Sequence, residues 1–124
     1  GSEEMIHKAR RVRKMLGGGM RQAGFLAAAG EFALKHNIAR IQIDHENASF
    51  LAQGLRGYGL DSREPDTNMV YFEYDQAQGL VDDLMDLGIW SAAAGPSTVR
   101  MVTHLDVDRD AIERTLSAVG TLLA

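Results

Sequence analysis

The sequence predicts an α+β protein, because helical and strand patterns occupy different parts of the chain. Up to residue 55, apolar side chains recur at three- and four-residue steps, the spacing of an amphipathic helix. Beyond residue 60, two segments rich in β-forming residues, 69–74 and 98–103, flank another helical pattern at 77–87. This order predicts a small, largely antiparallel sheet covered by helices on one face.

The first part of the chain predicts two helices separated by Gly17-Gly18-Gly19. Residues 3–16 have helical periodicity, and the glycines end this helix, since each costs about 1 kcal/mol in a helix interior. A second helix, predicted at 20–36, carries small residues on most of its faces. Such a helix is typical of a crowded protein interior, of which a chain of this size has little. The pattern therefore indicates that the chain is part of a larger protein. Asn37 is predicted to interrupt the helical pattern.

The later elements follow from periodicity and from turn residues. A third helix begins near Ile38 and ends at Gly57-Tyr58-Gly59. The remaining predictions are strands at 60–64 and 69–74, a helix at 77–87 ended by Gly88, strands at 89–92 and 98–103, and a helix at 109–122 capped by Asp108.

Composition excludes several classes of protein. The chain has no cysteine, which excludes a disulfide framework and a thiolate zinc site and suits a reducing cytosol. Its apolar runs are far shorter than the roughly 20 residues of a membrane span, and no signal peptide opens it. We therefore expect a cytoplasmic protein without a membrane partner.

Charge is distributed unevenly along the chain. The net charge is −4, yet the segment up to Arg21 carries +4 and the remainder −8. This pattern indicates either an anion near the amino-terminal segment or a solvated helix face. One function that the basic segment could serve is that of a stand-alone interaction module, which binds nucleic acid or an acidic partner. We keep this function as the alternative to an enzyme. The segment has no zipper and no helix-turn-helix pattern, so nucleic acid is not the expected partner.

The glycine triplet matches neither the G-x-G-x-x-G pattern nor the phosphate-binding P-loop. Two interpretations remain. Backbone N–H groups at the start of the following helix could face an anion. Alternatively, the glycines allow a sharp turn that passes close to another backbone, and this interpretation is favoured.

Arg100 is the most informative cation of the sequence. Strand alternation places Val99 and Met101 on one face and Arg100, Val102 and His104 on the other. A mid-strand arginine among apolar residues needs a partner, either an internal carboxylate or a ligand carboxylate. His104 is interpreted as a hydrogen-bonded structural residue in preference to a base or a ligand.

No metal site is predicted. The four histidines are scattered, and Asp106, Asp108 and Asp110 alternate as calcium ligands do. However, Ala111 and Ser117 stand where a calcium loop requires glycine and glutamate. The aspartates are therefore interpreted as helix-capping and first-turn charges.

Four segments together resemble a known family. They are RKMLGGGMRQAGFLAAAGEFAL (13–34), DHENA (44–48), DTNMVYF (66–72) and VRMVTHLDV (99–107). In order and spacing they resemble the carboxy-terminal portion of low-specificity L-threonine aldolases, pyridoxal-phosphate enzymes of fold type I. The resemblance covers essentially the whole chain. It implies that residues 1–38 are the helical end of a large cofactor domain and residues 39–124 the small α+β domain.

The resemblance also implies a reaction and a set of roles. The intact enzyme would cleave L-threonine or L-allo-threonine to glycine and acetaldehyde, as a homotetramer in the cytoplasm. Arg100 would hold the substrate carboxylate, Lys14 and Arg21 would lie near the active site, and His104 would support it. The Schiff-base lysine of the family has no counterpart here, so the fragment alone should be inactive. A lyase acting on other β-hydroxy-amino acids, such as phenylserine, stays open.

Overall fold

Five α-helices and three β-strands form the chain, whose computed structural model describes residues 1–124. They divide between two compact units, Gly1–Ile38 (unit 1) and Ala39–Ala124 (unit 2). Their order is α1 Glu3–Met15, α2 Gly24–His36, a 3₁₀ turn Ile38–Arg40, α3 Ile41–Gly57, β1 Met69–Glu73, α4 Ala77–Asp86, β2 Ala92–Ala93, β3 Thr98–Val102 and α5 Arg109–Leu122. No helix is both long and apolar enough to cross a membrane.

Unit 1 holds two helices that have no core of their own. At the start of α1, the Ser2 hydroxyl accepts a hydrogen bond from the backbone N–H of Met5 at 3.3 Å, and Glu3 and Glu4 occupy the first turn. Such a cap and first-turn charges stabilise a helix amino terminus. None of the side chains of α1 or α2 is buried. The helical periodicity is therefore real, but unit 1 supplies nothing for its apolar residues to pack against.

The glycine triplet is a helix stop. Gly17 has a φ of 83°, in the left-handed region. Its N–H donates to the carbonyl of Lys14 at 3.2 Å, and the N–H of Gly18 donates to the carbonyl of Arg13 at 2.8 Å. This pair of bonds is the Schellman motif. A Cβ at Gly18 would lie 2.8 Å from the Arg13 carbonyl oxygen. The interpretation of a sharp turn is therefore confirmed, and the backbone that it passes is the last turn of α1 itself.

The start of α2 differs from the prediction. The helix begins at Gly24 and not at Met20, because Gln22 has a left-handed φ of 51° that an α-helix cannot include. The N–H groups of all three glycines are hydrogen-bonded within the turn, that of Gly19 to the carbonyl of Gly17 at 2.8 Å. The three glycines therefore have no N–H group left for an anion, and the interpretation that N–H groups at the start of the second helix face one stays a prediction, with that start at Gly24.

Unit 2 is built on an antiparallel sheet of order β1-β3-β2. In its register, Val70 pairs with Met101 and Phe72 with Val99, and all four side chains lie on the buried face. The other face carries Arg100, described below. Helices α3 and α4 pack on the buried face, and α5 packs on both of them and adds Ile112 and Val119 to the same core, which confirms the predicted architecture of helices on one side of the sheet.

The core of unit 2 lies between the sheet and these helices. Helix α3 contributes Ala48, Leu51, Ala52 and Leu55, at the three- and four-residue spacing of one helical face. Helix α4 contributes a matching set that includes Leu80 and Leu84. Met85, the residue after Leu84, does not join this set, since half of its surface is exposed.

Two predicted strands are shorter than expected. In the segment 60–64 only Ser62 makes a sheet pairing, an isolated bridge to Phe72. The Arg56 guanidinium donates a hydrogen bond to the Ser62 carbonyl at 3.1 Å, so that this carbonyl does not bond to a strand. Pro65 has no N–H that could donate to a neighbouring strand. The strand predicted at 89–92 is instead Ala92–Ala93, because Ile89 donates to the Leu84 carbonyl and so completes the stop of α4.

Candidate functional site

Arg100 lies at the centre of the uncovered face of the sheet. Its strand, β3, is the middle strand, and its cross-strand neighbours are Tyr71 on β1 and Ala92 on β2. Directly opposed residues share a face, so these three side chains form one row across the sheet. We call this surface, lined by Met69, Tyr71, Glu73, Ala92, Thr98, Arg100 and Val102, the open face.

The predicted alternation along β3 is confirmed. Val99 and Met101 are buried, whereas Arg100 and Val102 are exposed. Of the two partners expected for Arg100, an internal carboxylate is absent, since no Asp or Glu forms an ion pair with it. The guanidinium thus presents its planar fork from a partly apolar surface, the geometry that suits a bidentate carboxylate.

His104 follows the end of β3 and is held by a turn. Its Nδ1 accepts a hydrogen bond from the backbone N–H of Asp106 at 3.3 Å, and its carbonyl accepts one from Val107 at 2.9 Å. The ring is 56% exposed and lines a groove of about 660 Å³ beside α5 that does not include Arg100. His104 therefore shapes the chain after β3 and does not join Arg100 in one hydrogen-bonded group.

Thr103 anchors the carboxy-terminal end of β3 from the buried side. It is 1% exposed, and its hydroxyl donates to the Asp44 carbonyl at 2.7 Å. Its backbone N–H donates to the Asn68 carbonyl at 3.0 Å, and the Asn68 amide donates back to the Thr103 carbonyl at 2.7 Å. These bonds tie the strand that carries Arg100 to α3 and to the turn before β1.

The sequence reasoning did not single out this anchor. A signal was present, because alternation places the hydroxyl of Thr103 on the apolar face of β3, and a buried polar group requires a partner. A second buried polar side chain of α3 is Asn47, which is 2% exposed and whose amide donates to the Val107 carbonyl at 3.2 Å. Arg40 holds the Asp44 carboxylate with bonds of 3.4 and 3.0 Å.

Lys14 and Arg21 belong to unit 1, whereas Arg100 and His104 belong to unit 2. The ammonium of Lys14 lies against Gly19, since a Cβ built there would be 2.8 Å from Nζ. Neither Lys14 nor Arg21 forms an ion pair within the chain. The basic residues of unit 1 without a carboxylate partner are Arg10, Arg11, Arg13, Lys14 and Arg21.

Glu64 is a carboxyl whose pKa is lowered by its neighbours. Hydrogen bonds from the Ser49 hydroxyl and from Arg56 hold the pKa of this carboxyl below its ordinary value of 4.5, and the charge of Arg56 lowers it further. The bonds measure 2.7 and 2.9 Å. They tie the segment before β1 to α3, so this perturbed carboxyl has a structural explanation.

The acidic residues do not form a metal site. No group of three or more His, Asp or Glu side chains has the arrangement to hold an ion. Asp108 caps α5 through its Oδ1, which accepts from the Ala111 N–H at 2.8 Å, and Asp110 lies in the first turn. The interpretation as capping and first-turn charges is confirmed for Asp108 and Asp110, whereas Asp106 lies in the turn before α5, with its carboxylate 3.7 Å from Nδ1 of His104.

Comparison with known proteins identifies the class. A sequence model of the beta-eliminating lyases matches residues 1–77, more than half of the chain. The chain belongs to this family. An aminotransferase-like structure, a putative aminotransferase from Burkholderia pseudomallei, superposes with a TM-score of 0.59 over 80% of this chain and 30% of that one. At 20% identity this likeness concerns the fold alone, and it supports the α+β class.

Several of the similar proteins are named as threonine aldolases. Low specificity L-threonine aldolase of Escherichia coli K12 is 45% identical over the whole of this chain. Low-specificity L-threonine aldolase 1 of Arabidopsis thaliana is 37% identical over 94% of it. The chain spans only 37% and 35% of the lengths of these two proteins.

Proposed function

We propose that this chain is the carboxy-terminal portion of a pyridoxal-phosphate aldolase that cleaves L-threonine and L-allo-threonine to glycine and acetaldehyde. The family match and the names of the relatives support this reaction over a stand-alone interaction module. The observation that carries it is Arg100, a guanidinium without an internal carboxylate at the centre of the open face.

In this proposal Arg100 binds the α-carboxylate of the amino acid through two parallel hydrogen bonds. Such a clamp fixes the orientation of the substrate, and orientation contributes to the rate when it places the breaking bond correctly. Tyr71 and Ala92 lie beside Arg100 on the two neighbouring strands and would border the bound ligand. The buried anchor at Thr103 holds the strand in register.

The chain does not itself fit the cofactor. A Schiff-base lysine is activated by burial or by a neighbouring cation. Lys8 and Lys35 are instead exposed and ion-paired with Glu4 and Glu31, and Lys14 is exposed in the last turn of α1. Bound pyridoxal phosphate supplies an electron sink for cleavage of a carbon–carbon bond. We infer that the lysine that holds it belongs to the rest of the protein and that this chain alone is inactive.

Unit 1 would be the end of the large cofactor domain and unit 2 the small domain. The support is that unit 1 buries none of the apolar side chains of α1 and α2, as expected for helices that pack against further protein. Lys14 and Arg21, without carboxylate partners, would then lie near the anionic cofactor or across a subunit boundary of a homotetramer. A cytoplasmic location accompanies this metabolic role.

Arg100→Lys in the full-length protein tests the role of the guanidinium. The lysine keeps the charge but loses the fork, so kcat/KM for L-threonine should fall about 10- to 100-fold, mainly through a higher KM. Arg114→Lys, at an exposed position on the covered side of unit 2, is the matched control and should change neither constant. Acetaldehyde release in a coupled assay gives both values.

Two results would contradict the proposal. A full-length wild-type protein that releases no aldehyde from any β-hydroxy-amino acid would refute the aldolase reaction. Equal kcat/KM values for Arg100→Lys and wild type would refute the role of Arg100. For the 124-residue chain alone, a stoichiometric borohydride-reducible adduct with the cofactor would contradict the expected inactivity.

A further inference from the structure

Glu73 is the one acidic side chain on the open face, and it lies close to Arg100 in the register. Glu73 pairs with Thr98, and the adjacent pair on the same face is Tyr71 with Arg100. Diagonal neighbours on one face of an antiparallel pair are about 7–8 Å apart, within reach of long side chains of opposite charge. An internal ion pair between Glu73 and Arg100 is therefore the default expectation.

The structure contains a different set of bonds. The Thr98 hydroxyl lies 3.2 Å from each carboxylate oxygen of Glu73, and the Ser97 hydroxyl donates to Oε2 at 3.3 Å. Two hydroxyl donors thus satisfy the carboxylate at the amino-terminal end of β3. Glu73 and Arg100 form no ion pair, although both side chains are exposed on one surface.

We propose that Ser97 and Thr98 act as a hydroxyl clamp on Glu73, which withholds this carboxylate from Arg100 and keeps the guanidinium available for a carboxylate ligand. The clamp residues are positioning residues that act through Glu73. That the ligand is the amino-acid substrate rests on the function proposed above. The availability of Arg100 depends only on the geometry of the open face.

The clamp matters because an internal carboxylate competes with the ligand. A ligand binds only the fraction of molecules in which Arg100 is unpaired, so its apparent dissociation constant rises as that fraction falls. Exposed ion pairs are weak, worth at most about 1 kcal/mol, which corresponds to an effect of about two- to five-fold. The proposal therefore predicts a modest change that has a definite direction.

Chemical modification of Arg100 in the 124-residue chain tests the clamp without any catalytic assay. Phenylglyoxal reacts with free guanidinium groups, and peptide mass spectrometry gives the rate at Arg100. In Ser97→Ala/Thr98→Val the released Glu73 should pair with Arg100 and slow its modification about two- to five-fold. Adding Glu73→Gln should restore the wild-type rate, because the amide carries no charge. Ser97→Thr/Thr98→Ser, which keeps both hydroxyls, is the matched control and should react at the wild-type rate.

Several results would overturn the clamp. One is an Arg100 rate in Ser97→Ala/Thr98→Val equal to that of wild type, in a variant whose circular dichroism shows the native fold. Another is a slowed rate that Glu73→Gln fails to restore. A further variant, Glu73→Gln alone, leaves both hydroxyls in place and removes only the charge of the carboxylate. A faster reaction than wild type there would mean that Glu73 already shields Arg100, and it would refute the proposal.

Kinetics of the full-length protein test whether the ligand of Arg100 is the substrate, independently of whether the clamp exists. If Arg100 binds the substrate, Ser97→Ala/Thr98→Val should raise KM about two- to five-fold with kcat unchanged, and Glu73→Gln should reverse the increase. A change in Arg100 reactivity without a change in KM would support the clamp and refute Arg100 as the substrate arginine. A change in kcat at constant KM would contradict a positioning role in binding.

Discussion

Thr103 shows how one buried side chain holds the candidate site in place. Its hydroxyl and both of its backbone polar groups are bonded to Asp44 and Asn68, which lie on two other parts of the fold. Arg100 stands three residues earlier on the same strand. The position of the guanidinium thus depends on a residue that touches no ligand.

Thr103→Val should destabilise the protein by about 1–3 kcal/mol. The isosteric change removes the hydroxyl donor and leaves its buried carbonyl acceptor with one fewer partner. Urea unfolding followed by circular dichroism measures the loss. Thr103→Ser keeps the hydroxyl and should retain more of the stability than Thr103→Val. Equal stability of Thr103→Val and wild type would show that the hydrogen bond to Asp44 contributes nothing.

Residue-level prediction succeeded where the pattern was local. The two-residue period of a strand was enough to place Arg100 on the face opposite Val99 and Met101. Alternation indicates that Thr103 needs a partner, but the partners themselves were out of reach, since Glu73 meets Ser97 across 24 residues and Thr103 meets Asp44 across 59. Single-sequence patterns carry no information on pairings at such separations.

At the scale of elements, glycines set where the helices stop and how closely they pack. Helices α1, α3 and α4 all end in the same motif, with Gly17, Gly59 and Gly88 in the left-handed region. Gly54 has a different role. It lies on α3 where that helix meets α5, and a Cβ there would clash with the branched end of Leu116.

Gly54→Ala should therefore destabilise the protein by about 1 kcal/mol. The gain in helix propensity is outweighed by the displacement of Leu116, since overpacking costs about 1–3 kcal/mol. Gly79→Ala is the matched control within α4, where an added Cβ meets nothing within 4 Å. It should stabilise by about 0.4–1 kcal/mol. Thermal unfolding of both variants gives the sign of each change in stability. A stabilised Gly54→Ala would contradict the prediction and would show that Leu116 on α5 moves aside without cost.

The whole molecule consists of two units with very different interiors. Unit 2 has a continuous apolar core between its sheet and three helices. Unit 1 has helices of 13 residues each and buries none of their side chains. Isolated helices of that length are marginal in water, since most helical stability in proteins comes from packing.

Hydrogen exchange of the 124-residue chain should reveal this difference. Amides of α1 and α2 should exchange close to the rate of an unfolded chain, whereas amides of α3, β3 and α5 should exchange at least about 100-fold more slowly. The measurement is made by mass spectrometry at two protein concentrations, which separates self-association from folding. Equal protection of α1 and α3 at both concentrations would contradict the prediction.

Local patterns in the sequence predict the α+β class, most helices, the two longer strands and the two faces of β3. These follow from periodicity, capping residues and glycine stops, all of which act within a few residues. Tertiary structure alone decided that Arg100 has no internal partner, that Glu73 is held by hydroxyls, and that Ser62 pairs without forming a strand. Those outcomes depend on which distant groups meet, because a carboxylate or a carbonyl bonds to the donor that packing brings within reach.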